Sequence, residues 1–192
     1  MRDVVNFLFE AGMLKKTPRS GFQFLGSGGE SVAEHVFRTL YAAFALCKML
    51  PEADENKVLK LCLFHDLPEA RTGDMNYVNK KYVDVNEKKA VAELTEPLFF
   101  GDEIKAAIDE FNAHQTPEAI IARDADQLAL ILLLKEYGDL GNKYCPEWIA
   151  YASKRLTSET AKKMAECIIQ TDSSEWWFKD KSDWWINGNH QK

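Results

Sequence analysis

Little in this sequence favours a membrane or a β-sheet. No stretch reaches the roughly 18 apolar residues expected of a helical membrane span. The run over residues 128–134 suits a buried helix instead. No segment alternates apolar and polar residues between hairpin turns, so strands are not expected. There is no internal repeat and no low-complexity tract. Cysteine is scarce: Cys47, Cys62, Cys145 and Cys167 contain no Cys-x-x-Cys pair. They read as reduced packing residues of a cytoplasmic protein. Asp3, Asn6 and Glu10 interrupt the apolar residues of the first turns, so a secretory signal is not expected. Positive charge is also short. Lys and Arg total 24 against 30 Asp and Glu, a net charge of −6. General nucleic-acid binding through a basic surface is thereby excluded. An acidic protein that handles phosphate must supply positive charge locally, from a metal or a placed Arg.

What is present is helical periodicity. Hydrophobic residues make up 46% of the 192 residues and charged residues 28%, enough for one all-α domain with a sizeable core. That core is expected over about 15–137, with C-terminal helices and an aromatic tail over about 146–192. Val4, Val5, Leu8 and Phe9 give the first helix an apolar face that ends near Gly12. Residues 15–30 read as a Gly/Ser-rich loop. Ser31 and Glu34 form a capping box that opens a helix. Its apolar stripe includes Val32, His35, Val36, Thr39, Ala43 and Leu46, and Pro51 closes it. A third helix starts near Asp54, and Val58, Leu61, Cys62 and His65 share one face. Pro68 disfavours helical geometry at Leu67 and opens a short segment with Glu69 in its first turn. Residues 74–85 read as a polar loop in which Lys80 and Lys81 form a solvated cluster or, alternatively, line the entrance to a site. Further helices fit 86–96, 102–113, 117–137, 147–153 and 157–170. The tail holds Trp176, Trp177, Phe178, Trp184 and Trp185. It reads as a terminal helix docked on the core, a dimer contact or a lid.

Residues 64–74, Phe-His-Asp-Leu-Pro-Glu-Ala-Arg-Thr-Gly-Asp, are the most informative segment. His65-Asp66 closes an apolar helix, His35 sits on an apolar stripe, and Asp126 precedes an apolar run. A buried carboxylate is costly unless paired. Arg38 and Arg71 are candidate partners for Asp66. One divalent cation explains all these groups together, since two imidazoles and two carboxylates are a transition-metal ligand set. Asp124 competes with Asp126. The two lie about 200° apart on a helix, so one faces the ion, and Arg123 could hold the other in a surface pair. Periodicity does not decide, because both sides of this helix are apolar.

The ordered set Glu34-His35, Phe64-His65-Asp66 and Asp124-Ala-Asp126 resembles the HD-domain metal-dependent phosphohydrolases. The longer string His65-Asp66-Leu-Pro-Glu69-Ala-Arg-Thr-Gly-Asp74 resembles one branch, the 5′-deoxynucleotidases and their HD-domain-containing relatives. The resemblance implies a helical HD-domain bundle and a homodimer. It implies that His35, His65, Asp66 and Asp126 bind one divalent metal ion (Co, Mn, Zn, Fe, Ni or Mg), with Asp126 favoured over Asp124. Glu69 and Asp74 match the branch's further acidic active-site residues, and Arg19 matches the Arg that contacts the substrate phosphate. Ser20 follows Arg19 where an aromatic residue is expected. The reaction implied is release of phosphate from deoxyribonucleoside 5′-monophosphates. Rival readings are an HD enzyme acting on di- or triphosphates or cyclic nucleotides, and a non-catalytic metal-stabilised nucleotide-binding protein. Each residue also has a plainer reading. Glu69 is a first-turn Glu favoured by the helix dipole, Asp74 a turn residue after Gly73, Arg19 a solvated loop Arg. A second metal would need more His ligands than His114, at a helix start, and His190, in the tail.

Overall fold

The structure, a computed structural model, describes residues 1–179 together with Trp185 and Gly188. Among these the fold is all-α; the nearest approach to a sheet is one isolated antiparallel bridge between Pro18 and Ser31. The helices are α1 (Arg2–Ala11), α2 (Val32–Met49), α3 (Glu55–Phe64), α4 (Glu69–Thr72), α5 (Glu87–Thr95), α6 (Gly101–Ala113), α7 (Pro117–Asp139), α8 (Cys145–Ser153), α9 (Glu159–Gln170) and α10 (Glu175–Phe178). The expected loops are more ordered than read: 3₁₀ turns occupy Gly12–Lys15, Ser20–Phe24 and Asn79–Lys81.

Local chemistry sets where these helices begin. Ser31 accepts from the Glu34 backbone N–H while the Glu34 carboxylate takes the Ser31 N–H at 2.6 Å, completing the capping box of α2. Asp54, Asn86, Thr116 and Ser158 cap α3, α5, α7 and α9 by accepting a backbone N–H three residues on. Helix α7 also has Pro117 in its first turn, where the missing N–H costs no hydrogen bond.

Helix α7 is the axis of the molecule. It packs against α2, α3, α6, α8 and α9. Being apolar around its whole circumference, it buries Ile121, Ala125, Leu128, Ile131 and Leu134 among other side chains. One hydrophobic cluster surrounds it, with Leu46 from α2, Leu61 from α3, Ile149 from α8 and Ala161 from α9. A second cluster joins the start of α2 to α5 and α6 through Val32, Val36, Val91, Leu94, Ile104 and Ile108. Leu40 packs against both clusters, so α2 spans the seam between them and carries His35 there. All four cysteines are free. Cys47, Cys62 and Cys145 are buried as expected, whereas Cys167 is exposed. No helix among the described residues is long and apolar enough to cross a membrane.

Of the tail, the described aromatic residues group together. Trp177, Phe178 and Trp185 pack on one another with ring centroids 5.2 to 5.6 Å apart, while Trp176 is 87% exposed. Trp184 and His190 lie outside the described residues.

Candidate active site

Four elements converge where the two clusters meet. Helix α2 presents His35 from its first turns, fully buried. Helix α3 ends at Phe64, and helical-type bonds from His65 to Leu61 (3.0 Å) and from Glu69 to Asp66 (3.0 Å) carry the chain round into α4. This tight turn brings His65, Asp66 and Glu69 to one side. Gly73 then ends α4 at φ +73°, a left-handed conformation that favours glycine. Helix α7 supplies Asp126.

Ligand atoms of His35, His65 and Asp126 all lie within 4.8 Å of one another. His35 Nε2 is 2.7 Å from Asp126 Oδ1, and His65 Nε2 is 4.0 Å from the same oxygen. Asp66 adjoins them, its Oδ2 lying 3.2 Å from His65 Nε2 and 3.9 Å from His35 Nε2. His65 Nδ1 donates to the Cys62 carbonyl at 2.8 Å, so Nε2 faces the cluster and is the nitrogen that the neutral imidazole would offer to a cation. That buried Nε2 has no hydrogen-bond partner among the described residues. A buried polar atom so placed calls for a missing ligand. Two imidazole nitrogens and two carboxylates suit a divalent transition ion, so the residues present fit a metal.

The charges are tightly interlocked. Burial alone pulls the His65 imidazole down, but Asp66 and Asp126 reverse this and carry it up to about 9. Burial pushes the Asp66 and Asp126 carboxyls up. The facing histidines and Arg19 outweigh it and hold both below the usual range. Glu69 goes the other way: burial, then the neighbouring Asp66 and Asp74, push it up to about 8.

Arg19 is 17% exposed and points Nη1 at Asp66 Oδ2, 3.4 Å away. Asp66 therefore pairs with Arg19. The expected partners are engaged elsewhere, Arg38 with Glu136 at 2.8 Å and Arg71 with Glu10 and Glu93. Ser20, marked in the sequence only as a departure from the branch's pattern, is a hub. Its N–H donates to Asp74 Oδ2 at 2.7 Å, its hydroxyl donates to the Asp74 carbonyl at 2.8 Å, and that hydroxyl accepts from the Asn76 N–H at 3.1 Å. Asp74 thus anchors the segment that carries Arg19. No local pattern marks Ser20 or Asn76, because the contacts join distant loops.

Asp126 accepts a second bond at Oδ2, from Gln127 Nε2 at 2.8 Å, and Gln127 Oε1 accepts from Arg155 at 3.2 Å. Asp124 takes a different path. It is 1% exposed and accepts the N–H groups of Thr157 and Ser158 at 2.8 and 2.9 Å. The reading of a surface pair with Arg123 is corrected by this: Asp124 is a buried staple that closes the turn before α9. His114 caps the end of α6 in a left-handed conformation, φ 54°, and stands apart from the cluster.

A cavity of about 440 Å³ opens on these groups. Arg19, His65, Asp66, Glu69, Asp74 and Asp126 line its polar side, and Phe22, Tyr77, Trp148 and Arg155 line other walls. Lys80 also borders it, in line with the second of the two readings of the lysine pair. Arg155 stacks over the Tyr77 ring at 4.8 Å.

Residues 11–168 match the family model described as HD domain. The chain belongs to the HD-domain family. Within it, the chain is similar to the protein named 5′-deoxynucleotidase HDDC2 from Bos taurus, with 30% identity over 148 residues, 74% of this chain and 71% of that one. Among solved structures, the PH0347 protein from Pyrococcus horikoshii OT3 matches with a TM-score of 0.72 at 28% identity, over 86% of this chain and 98% of its own. A structure titled predicted metal-dependent phosphohydrolase, from Magnetospirillum magnetotacticum MS-1, matches with a TM-score of 0.71 at 25% identity, over 88% and 93%.

Proposed function

We propose that this chain is a metal-dependent 5′-deoxynucleotidase that converts deoxyribonucleoside 5′-monophosphates to deoxynucleosides and phosphate. The observation that carries the reading is the His35, His65 and Asp126 cluster, in which His65 and Asp126, together with Asp66 and Arg19, line one cavity while His35 lies buried behind them. The family and the relatives named above support it. His35, His65, Asp66 and Asp126 are the metal ligands in this reading. When bound, a divalent cation supplies a polarised water and charge neutralisation at the phosphoryl group. Arg19 holds the phosphate through the fork of its guanidinium, which a Lys lacks. Asp74 keeps Arg19 in place through Ser20. The oxygen of water bonds to phosphorus, the bond from phosphorus to the 5′ oxygen breaks, a proton reaches that leaving oxygen, and the proton that the water loses returns to the group that gave it. Glu69 is the residue placed to give the proton to the leaving oxygen: it lines the cavity beside Asp66 and Asp74, and in the cation-free site burial and these two acids push its carboxyl up.

The finer readings follow the same way. We read residues 1–192 as one HD domain in a cytoplasmic protein, and the three buried free cysteines suit a reducing compartment. We read the assembly as a homodimer. The outward row of Phe37, Tyr41 and Phe44 on α2, each at least 46% exposed, supports a partner surface. The test is a screen of nucleoside mono-, di- and triphosphates with several divalent cations, scored by the phosphorus product. Orthophosphate from deoxyribonucleoside monophosphates supports the reading. Pyrophosphate release, or equal turnover of unrelated phosphomonoesters, contradicts it.

A further inference from the structure

Two buried atoms face one another behind the cluster without a bond between them. His35 Nδ1 and Glu30 Oε2 are 3.8 Å apart, on side chains 0% and 5% exposed. Among the described residues neither atom has a hydrogen-bond partner. A buried carboxylate with an unpaired oxygen is costly, and burial pushes Glu30 up accordingly.

The backbone around Glu30 is held from several sides. Its carbonyl accepts the Arg19 N–H at 2.8 Å, so one loop residue ties the phosphate-facing Arg to the back of His35. Tyr137 from α7 accepts the Gly29 N–H at 3.1 Å, and Asn142 donates to the Leu25 carbonyl at 3.0 Å. Gly28 lies at φ +84° directly against the Tyr137 ring, where a Cβ would collide with it. Ser31, the next residue, caps α2. Glu30 is therefore a fixed group.

We propose that Glu30 is the positioning carboxylate of the metal site, acting through His35. The proposal rests on the reading of His35 as a ligand. An imidazole that offers Nε2 to a cation carries its proton on Nδ1, and Glu30 is the acceptor facing that nitrogen. Accepting the Nδ1–H fixes the ring and makes Nε2 a stronger donor to the cation.

The test is a Co²⁺ titration of the cation-free full chain, followed by visible absorption, with thermal unfolding of each variant recorded without cation. Glu30→Ala should weaken Co²⁺ binding by between roughly 10- and 100-fold. Its cation-free Tm should equal or exceed that of the wild type, because an unpaired buried carboxylate has gone. Glu30→Gln, which keeps an acceptor oxygen, should lose less. A packing role alone predicts the reverse, a lower Tm with unchanged affinity in the folded protein. Equal affinity in wild type and Glu30→Ala overturns the proposal. If Glu30→Ala does not fold, Glu30→Leu, which fills the space without an acceptor, carries the test, an unchanged affinity again overturning it. His65→Ala separates the two readings. If it binds Co²⁺ like the wild type, the ligand assignment has failed. If it does not bind while Glu30→Ala binds normally, the Glu30 proposal alone has failed.

Discussion

Asp124 and Asp126 stand two residues apart on α7 and have partners of different kinds. Asp124 is closed off by two backbone N–H groups, from Thr157 and Ser158. Asp126 meets side chains only, His35 and Gln127. Around Asp126 the buried atoms His65 Nε2, His35 Nδ1, Glu30 Oε2 and Glu69 Oε2 are left without partners among the described residues. A carboxylate held by backbone is a structural part, since its partners cannot turn toward a ligand. A carboxylate held by imidazoles in an unsatisfied cluster can exchange one of them for a cation. The same residue type on the same helix is thus sorted by the nature of its partners.

Substituting each acid in turn should break the pair apart most sharply at Asp126. Asp126→Ala should abolish cation binding and detectable turnover while the helices remain, checked by metal analysis and circular dichroism. Glu69→Ala should come next, keeping the cation but losing roughly 10²- to 10⁴-fold in turnover, the usual contribution of a proton-transferring group. If it retains near-normal activity, the role given to Glu69 is wrong. Asp124→Ala should do the reverse of Asp126→Ala. It should cost about 2–4 kcal/mol of stability through two lost charge-assisted bonds, with cation affinity unchanged in the folded fraction, as denaturant titration reads. The smallest effect belongs to a third α7 acid. Burial raises Asp139, but Lys135 and the Ser173 N–H at 2.8 Å more than offset it, so its folded value lies below the ordinary one. Its contribution is present above the unfolded value near 4 and is lost as pH falls through the lower folded value. Tryptophan fluorescence should therefore report loosening of the segment before α10 in acid, and Asp139→Asn should produce it at neutral pH.

Much of this was legible before any coordinates. The helix starts follow from caps such as Ser31, Asp54 and Thr116, whose side chains act within three residues of their own position. His35, His65, Asp66 and Asp126 were nameable because polar groups on apolar faces are expensive and the HD-domain pattern orders them. The choice between Asp124 and Asp126 came from that pattern alone, because α7 is buried on all sides and its periodicity points nowhere. The Arg partners were misread for a related reason. Arg38 meets Glu136 and Arg71 meets Glu10, pairings set by which helices lie side by side. Glu30 and Arg155 carried no signal at all, and Ser20 stood out only as a departure from the branch's pattern after Arg19. Each acts across loops far apart in the chain, and only the folded geometry brings Glu30 to within 3.8 Å of His35.

Adding a divalent cation back to metal-stripped protein, while following phosphate release from a deoxyribonucleoside 5′-monophosphate, tests the central claim most directly. A single cation gathered by His35, His65, Asp66 and Asp126 predicts no release without it and activity that saturates at about one equivalent per chain, the single-site stoichiometry of four protein ligands. Release that is indifferent to the cation, or no release with any cation tried, would contradict it.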